Sequence, residues 1–327
     1  MNGMRWARAA LPVLVASAFL QVAAPSPQAD GPRFDSSRAF EHIRQLVAIG
    51  PRPAGSPGNE QARAYIVDQL KALGLSPTLQ QFSAETPLGT SKMANVVVKI
   101  PGADAERILI TGHFDTKLFR QFRFVGANDG GSSAAMLLEL ARVLKDRKNP
   151  YTIELVFFDG EEATLPEWAG TDHTYGSRHY VESGKADGSL AKIHAMILFD
   201  MVADRNLNIR RETYSTRWLT DLLWASARKL GHADAFIADG FPVEDDHKPF
   251  LDAGVPSVDI IDLDYSPWHT ERDTLDAISA RSLQIVGDTF LDALPKIEAH
   301  SQKFVQPRTE LNVAISSRRQ LEIPWTF

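Results

Sequence analysis

The chain has 327 residues, 44% of them hydrophobic and 23% charged, which is ordinary for a folded protein with a sizeable core. Its formal net charge is −6 and no basic stripe stands out, so the composition gives a nucleic-acid partner no electrostatic support. It contains no cysteine, which excludes disulfides, thiolate metal sites and cysteine nucleophiles. Any bound metal must therefore use His, Asp or Glu as ligands.

Residues 1–24 have the pattern of an export signal peptide. Arg5 and Arg8 precede an apolar run, and Val22-Ala23-Ala24 supplies the small residues typical of a cleavage site. We expect cleavage between residues 24 and 29, a linker over residues 25–33, and an exported protein, either periplasmic or secreted. A membrane anchor is the alternative, but the apolar run is short for a bilayer span. No stable membrane insertion is expected after the signal is removed.

The next part of the chain alternates between helical and strand patterns. Ser36 and Ser37 can cap a first helix, the breaker-rich loop 50–58 follows, and a second helix ends near Gly74. Five apolar runs are typical of strands, and the second to fourth are almost continuously apolar, as expected of strands covered on both faces. These runs cover residues 95–100, 108–111, 153–158, 195–199 and 257–261.

Helical patterns lie between and after these strands, at residues 134–144, 219–227 and 283–291. Such alternation predicts an α/β fold, a three-layer sandwich with a central, mostly parallel mixed sheet flanked by helices. We assign one domain to residues 34–300. The polar tail, residues 301–327, has no predicted role.

Chemically reactive side chains follow the predicted strands, where sites form in open α/β sheets. Asp129 begins a helix, Glu161 and Glu162 follow the third strand, Asp200 closes the fourth, and His269 follows the fifth. Each has an ordinary explanation: a helix cap, a solvated turn or a loop histidine. Asp200 is harder to explain in this way, because an unpaired carboxylate on an apolar strand is costly. Their coincidence at one edge indicates a zinc site with an open position.

The adjacent residues Glu161 and Glu162 can take two different roles in such a site. Neighbouring side chains in an extended turn point apart, so one can ligate a metal while the other faces a substrate. A general acid or base must lie within hydrogen-bond reach of the moving proton and titrate near the working pH. Like-charge repulsion from a neighbour such as Asp200 would raise the pKa of this carboxylate.

Three segments resemble the zinc-dependent aminopeptidase superfamily: Gly126-Ala127-Asn128-Asp129-Gly130-Gly131, the stretch 157–163, and His269-Thr270. The resemblance covers residues 40–294. Within that superfamily, four stretches are more similar to the animal-type glutaminyl cyclases (glutaminyl-peptide cyclotransferases). They are residues 158–163 with Trp168 and 175–179, residues 245–251 before Gly254-Val255-Pro256, Trp268-His269-Thr270, and residues 112–117.

This resemblance implies that Asp129, Glu162 and His269 bind one zinc and that Glu161 accepts and donates the proton. It also implies catalytic roles for Asp200 and Asp245, joined by a hydrogen bond, and a substrate pocket lined by Trp168 and Trp268. Taken alone, either tryptophan could equally be a core aromatic residue. His113 and Asp115 match the second-metal region of two-zinc relatives.

The chain departs from the animal pattern at two places. Asp259 stands where the animal enzymes have a histidine in the catalytic hydrogen-bond network, and we group it with the substrate-binding residues. An aspartate there would change the charge and the pH dependence. The segment Asn128-Asp129-Gly130-Gly131 looks more like that of a peptidase.

The implied reaction converts the N-terminal glutamine of peptides or proteins to pyroglutamate and ammonia, with one zinc and a monomeric enzyme. One alternative is an exported two-zinc aminopeptidase. Its ligands would be His113, Asp129, Glu162, Asp200 and His269, and Glu161 would activate a metal-bound water. The other alternative is a non-catalytic binding protein on the same scaffold, because a fold does not fix a function.

Overall fold

The structure, a computed structural model, describes residues 32–317 and the side chains of residues 32–301. The predicted signal peptide and most of the predicted linker lie outside the described residues. The described part contains seven α-helices and eight β-strands. In chain order these are α1 (Ser36–Ile49), α2 (Pro57–Ala72), β1 (Thr78–Thr86), β2 (Gly89–Ile100), β3 (Asp104–His113), α3 (Gly131–Leu144), β4 (Tyr151–Phe158), α4 (Tyr175–Ala186), β5 (Ile193–Asp200), β6 (Ile209–Glu212), α5 (Arg217–Lys229), β7 (Phe236–Phe241), α6 (Lys248–Asp252), β8 (Ser257–Ile261) and α7 (Ala280–Ser317).

Six strands form the central sheet in the order β1-β2-β4-β3-β5-β8. The pairs β4–β3, β3–β5 and β5–β8 are parallel, whereas β1–β2 and β2–β4 are antiparallel. The sheet is therefore mixed and mostly parallel, as predicted. Strands β6 and β7 form a separate parallel pair.

Alternate side chains of the central strands enter two different cores. Ile108 and Ile110 of β3 pack in a cluster with apolar residues of α1, α2, α3, α5 and α7. Leu109 packs in a second cluster with residues of α4 and α6. Each buried aliphatic side chain of this kind contributes about 1.5–3 kcal/mol through removal of its surface from water. Helices thus cover both faces of the sheet, which confirms the predicted three-layer sandwich.

The first helix begins one residue earlier than the sequence pattern indicated. Asp35, and not Ser36 or Ser37, is the N-cap of α1, and its Oδ1 accepts the backbone N–H groups of Ser37 and Arg38. A carboxylate at this position satisfies two orphan donors and also interacts favourably with the helix dipole. The predicted cap was therefore wrong, although the predicted helix was right.

The last helix passes the predicted domain end at residue 300 and continues to Ser317. Buried residues of this helix, including Leu283, Val286 and Phe290, pack against the core on the α1 face of the sheet. Within the described part of the chain, no helix combines the length and the apolar character needed to cross a membrane.

Candidate metal centre and active site

A cavity of about 490 Å³ opens at the carboxyl edge of the parallel strands. Many of its lining residues lie at the ends of β4, β5 and β8 or in the loops that follow strands, as expected for open α/β sheets. They are Lys117, Asp129, Glu161, Glu162, Pro166, Glu167, Trp168, Asp200, Met201, Pro242, Val243, Glu244, Asp245, Ile261, Leu263, Trp268 and His269. Eight of the nine predicted site residues therefore line one cavity, and Asp259 is the exception.

The three predicted metal ligands converge on one point. Nε2 of His269 lies 3.3 Å from Oδ2 of Asp129 and 3.2 Å from Oε1 of Glu162. One potential ligand atom from each of the three residues falls within 4.8 Å of the other two. These residues come from three separate loops. The fold brings together candidate ligands as far apart in sequence as Glu162 and His269, which are separated by 107 positions.

The donor set fits a divalent metal. Oδ2 of Asp129 and Oε2 of Glu162 are buried and have no hydrogen-bond partner among the described residues. Unpartnered buried oxygens are costly unless a cation completes them. Two carboxylates and one imidazole are also the ligand types of a catalytic zinc site with an open position. The geometry therefore suits a zinc ion.

Asp129 is held in a compact turn that only small residues can form. Gly126 and Gly130 have positive φ angles, at 51° and 73°. A Cβ atom at Gly126 would clash with the carbonyl oxygen of Asp129, and one at Gly130 would clash with that of Asp115. The glycines thus let the chain fold tightly enough to aim the Asp129 carboxylate at His269.

The two adjacent glutamates point to different partners, as the sequence predicted. Oε2 of Glu161 lies 3.7 Å from Nδ1 of His113, whereas Oε1 of Glu162 faces His269. Asp115 fixes both, because its Oδ1 accepts the N–H of Glu161 at 3.1 Å and its Oδ2 that of Glu162 at 3.2 Å. Asp115 thus holds the backbone while the two side chains diverge. The Glu161 carboxylate does not face the trio of candidate ligands and can take a different role.

Burial and crowding change the acidity of these groups. Burial raises the pKa of Glu162 to about 7, the charge of Asp129 adds to this effect, and His269 and Lys117 oppose it. Burial also raises the pKa of Glu161 well above its usual value; His113 opposes this, and Glu162, Asp245 and Asp246 add to it. These neighbours, rather than Asp200, are the main like charges near Glu161. A raised pKa suits a carboxylate that must both accept and donate a proton during one reaction.

Asp200 ends β5 beside a second candidate cluster. Its Oδ1 lies 3.1 Å from Nε2 of His113, and the same nitrogen is 3.4 Å from Oδ1 of Asp129. His113, Asp129 and Asp200 also meet the geometric requirement for holding a metal ion. Asp129 thus belongs to two overlapping trios, an arrangement that is also expected of the two-zinc alternative.

The expected hydrogen bond between Asp200 and Asp245 is not formed in the structure. Oδ1 of Asp245 accepts the backbone N–H of Asp246, and its Oδ2 has no partner among the described residues. The two carboxylates are nevertheless close enough to interact. Burial raises the pKa of Asp245 to about 7, and the charge of Asp200 adds to this shift. Both groups line the cavity and so contribute two further carboxylates to it.

Asp259 lies behind the cavity and does not line it. The residue is fully buried on β8, and Oδ2 is 3.8 Å from Nδ1 of His247, whose Nε2 contacts Glu212 at 3.1 Å. Asp259 and Ile261 lie on the same face of β8, because they are two positions apart, but only Ile261, at the carboxyl end of the strand, lines the cavity. The structure therefore supports a place in the buried polar network and does not support direct substrate contact.

The two predicted tryptophans stand at the mouth of the cavity. Trp168 is 37% exposed and Trp268 is 42% exposed, which is high for such large aromatic residues. Trp268 stacks on the candidate ligand His269 with ring centroids 4.3 Å apart, and Trp168 stacks on His173 at 4.2 Å. They are therefore not core aromatics, and both offer an open apolar surface to a ligand.

Backbone strain is concentrated at this site. Among the described residues, three non-glycine residues have positive φ angles: His269 at 54°, Met201 at 47° and Thr174 at 47°. His269 is a candidate ligand, Met201 follows Asp200, and Thr174 donates its N–H to the carbonyl of Glu161 at 2.7 Å. Such conformations cost roughly 1–3 kcal/mol each and persist where the surroundings enforce them.

Comparison with known proteins identifies the family. Residues 95–294 match Peptidase family M28. A glutaminyl-peptide cyclotransferase-like protein of Bos taurus is 34% identical over 262 residues, which cover 71% of this chain and 68% of that protein. The chain belongs to the glutaminyl-peptide cyclotransferase family within Peptidase family M28. The predicted family is therefore confirmed.

Solved structures agree with this family assignment. The crystal structure of an Acidobacteriales bacterium glutaminyl cyclase is 42% identical, covers 85% of this chain and 99% of its own, and has a TM-score of 0.79. A Zn-dependent exopeptidase from Parabacteroides distasonis is 26% identical, covers 80% of this chain and 98% of its own, and has a TM-score of 0.73. This chain therefore shares its fold with a glutaminyl cyclase and with a Zn-dependent exopeptidase.

Three residues of this cyclotransferase family member have site contacts that the sequence did not reveal. Lys117 is buried, donates to the carbonyl of Ala163 at 3.2 Å and has its Nζ 3.8 Å from Oε2 of Glu162. Arg52 and Asp273 hold the backbone around Asp129. Lys117 ends the segment 112–117 and Asp273 lies four residues after His269, but neither position alone indicates a role.

Proposed function

We propose that this protein converts the N-terminal glutamine of peptides or proteins to pyroglutamate and releases ammonia, with one zinc held by Asp129, Glu162 and His269. The observation that carries the proposal is the cavity itself. It combines this ligand trio with a separate buried carboxylate, Glu161, and with an aromatic mouth. The similarity to a glutaminyl cyclase along 99% of that chain supports cyclisation as the reaction.

The residues of the chain account for the proton movements. Zinc, when bound, supplies Lewis acidity, which makes a nearby carbonyl carbon more electrophilic. Glu161 accepts a proton from the α-amine as its nitrogen bonds to the side-chain amide carbon of the glutamine. The bond from that carbon to the amide nitrogen then breaks, and Glu161 returns the proton to the departing nitrogen, which leaves as ammonia. The carboxylate thus ends each cycle as it began.

Asp200 and Asp245 supply two cavity-lining carboxylates that can orient the α-amine. A carboxylate near the amine stabilises the positive charge that develops on the attacking nitrogen. Because nucleophile and carbonyl belong to the same substrate residue, much of the rate enhancement can come from holding a folded-back conformer. Trp168 and Trp268 enclose that residue from the mouth. The remaining peptide would lie outside, so we expect tolerance for different peptide sequences.

A two-zinc aminopeptidase is the second candidate. The trio of His113, Asp129 and Asp200 favours it, as does the similarity to a Zn-dependent exopeptidase. In that case Glu161 would activate a water molecule, and the product would be a free amino acid. Incubation of the purified protein with a peptide that begins with glutamine separates the candidates by mass spectrometry. Loss of one ammonia supports the cyclase, and loss of a whole residue supports the peptidase.

Export and a monomeric state are also proposed from the sequence. N-terminal sequencing of protein recovered outside the cytoplasm should begin between residues 25 and 30, because the small residues before this segment favour signal cleavage there. Recovery of the full-length chain in the membrane fraction would contradict export. A single species of about the chain mass, 36.2 kDa less the signal, is expected in light scattering.

A further inference from the structure

Arg52 is a buried cation that never reaches the cavity. It lies in the loop between α1 and α2 and is fully buried. Its Nε donates to the carbonyl of Phe114 at 2.6 Å, and its Nη1 to that of Val125 at 2.5 Å. Its Nη2 donates to Gly126 at 2.7 Å and, more weakly, to Asp129 at 3.4 Å. The guanidinium thus ties the segment after β3 to the turn that carries the ligand Asp129.

Asp273 contacts the backbone N–H groups of the same turn. It is 1% exposed, and its Oδ1 accepts the N–H of Asn128 at 2.8 Å while its Oδ2 accepts the N–H of Asp129 at 3.1 Å. Its carbonyl accepts the N–H of Ala127 at 3.3 Å. The hydroxyl of Tyr265 donates to Oδ1 at 2.7 Å. Asp273 therefore holds three successive peptide N–H groups of the Asp129 turn, two through its carboxylate and one through its backbone carbonyl.

Asp273 also belongs to the turn that carries the ligand His269. Its N–H donates to the carbonyl of Thr270 at 3.2 Å, next to His269 in the chain. The backbone of His269 is in the left-handed region at φ 54°, which needs support from its surroundings. Asp273 therefore joins two ligand segments that are 140 positions apart in the sequence.

Burial of a guanidinium and of a carboxylate is costly unless their hydrogen bonds are satisfied. Burial lowers the pKa of Arg52 to about 10, and the charges of Asp273, Asp129 and Asp115 oppose this shift, so Arg52 stays cationic near neutral pH. Neither Arg52 nor Asp273 lines the cavity. Their bonds instead end on the backbone that bears the ligands, and outer partners of this kind tune metal affinity.

We propose that Arg52 and Asp273 are positioning residues that preset the metal site: Arg52 holds the carbonyls of the Asp129 turn, and Asp273 holds its N–H groups and fixes it to the His269 turn. This inference rests on the metal-binding part of the proposed function and not on cyclisation. A wild-type protein that bound no zinc would refute that part before any variant is compared.

Zinc affinity, measured by competition with a chromophoric chelator, tests the proposal on the full chain. Asp273→Asn keeps the side-chain shape but places an amide donor against one of the two N–H groups. We expect zinc affinity to fall about 10- to 100-fold. Arg52→Lys keeps the charge but loses the planar fork that reaches several carbonyls, and we expect a fall of about 10-fold.

Two matched variants control for the loss of a buried charged residue. Asp262→Asn changes a buried carboxylate whose oxygens accept the N–H groups of Asn208 and Asp264. Arg107→Lys changes a buried arginine that pairs with Glu154 at the start of β3, away from the carboxyl edge. Both should keep zinc affinity within about twofold of wild type, although either can lower the unfolding midpoint of the metal-free protein.

Folded Asp273→Asn protein with wild-type zinc affinity would overturn the proposal, as would an equal loss in the two controls. If Asp273→Asn does not fold, Tyr265→Phe takes its place, because it removes only the hydroxyl that donates to Oδ1 of Asp273. We then expect a loss of zinc affinity of roughly 3- to 10-fold with kcat restored at saturating zinc. A Tyr265→Phe variant with unchanged zinc affinity would refute the proposed role of Asp273.

Discussion

The adjacent glutamates offer a sharp test of the site, because isosteric amides at the two positions should fail in different ways. In Glu161→Gln the side chain keeps its shape but cannot accept a proton. Positioned acid–base groups contribute about 10²- to 10⁴-fold to a rate, so we expect kcat to fall by that factor, which corresponds to roughly 2.7–5.4 kcal/mol. Zinc content should stay at the wild-type level, because the Glu161 carboxylate faces His113 and not His269.

Glu162→Gln is the matched comparison one residue away. It replaces an oxygen that lies 3.2 Å from Nε2 of His269 and leaves one ligand of the trio uncharged. Zinc affinity should fall by more than about 100-fold, beyond the usual effect of an outer-shell change. Metal analysis after gel filtration, together with kcat at saturating zinc, separates the two variants. A zinc-replete Glu161→Gln protein with near-wild-type kcat would refute the assigned roles.

Three further predictions concern the pocket, the buried network and the metal. Trp268→Ala should raise KM about 10-fold through loss of an aromatic contact worth roughly 1.4 kcal/mol. The control Trp218→Ala, which removes a similar stack on His300, should leave KM unchanged. Equal changes of KM in the two variants would argue against a pocket role for Trp268. Burial, and then the charges of Asp245, Asp200 and Glu212, raise the pKa of Asp259 well above its usual value. Its folded-state pKa therefore exceeds the unfolded value, and the stability it contributes is complete below about pH 4 and is lost as pH rises through the folded pKa. The free energy of unfolding, measured in urea, should thus decline more steeply from mildly acidic to mildly alkaline pH in the wild type than in Asp259→Asn. Equal slopes of unfolding free energy against pH in the two proteins would contradict this prediction. Removal of metal with a chelator should abolish activity, and one equivalent of zinc per chain should restore it, whereas a requirement for two equivalents would favour the peptidase alternative.

The sequence predicted the parts of the fold that are buried on both sides. Strands β3, β4 and β5 carry continuous apolar runs because helices cover both faces of the sheet. Strand β1 was not predicted, since it is an edge strand with a largely polar sequence and none of its residues is fully buried. Its place in the sheet depends on backbone pairing with β2, which leaves little trace in side-chain hydrophobicity.

The candidate site was likewise only partly predictable from the sequence. Asp129, Glu162 and His269 could be proposed from the sequence, because their side chains are of types that bind metals and they follow predicted strands. Arg52 and Asp273 were not found, because their partners are backbone carbonyls and N–H groups, which look alike at every position of a sequence. The burial of Asp259 depends on how β8 packs against His247, and periodicity alone did not separate a buried position from one that lines the cavity.

The products formed from a peptide with an N-terminal glutamine test the central claim most directly. The zinc-loaded protein should convert it to a species lighter by one ammonia, with equimolar ammonia in solution and the rest of the peptide intact. The same peptide with N-terminal asparagine is a suitable control, because its shorter side chain cannot close the same five-membered ring. Release of free glutamine, or an unchanged peptide in the presence of fully zinc-loaded protein, would contradict the account.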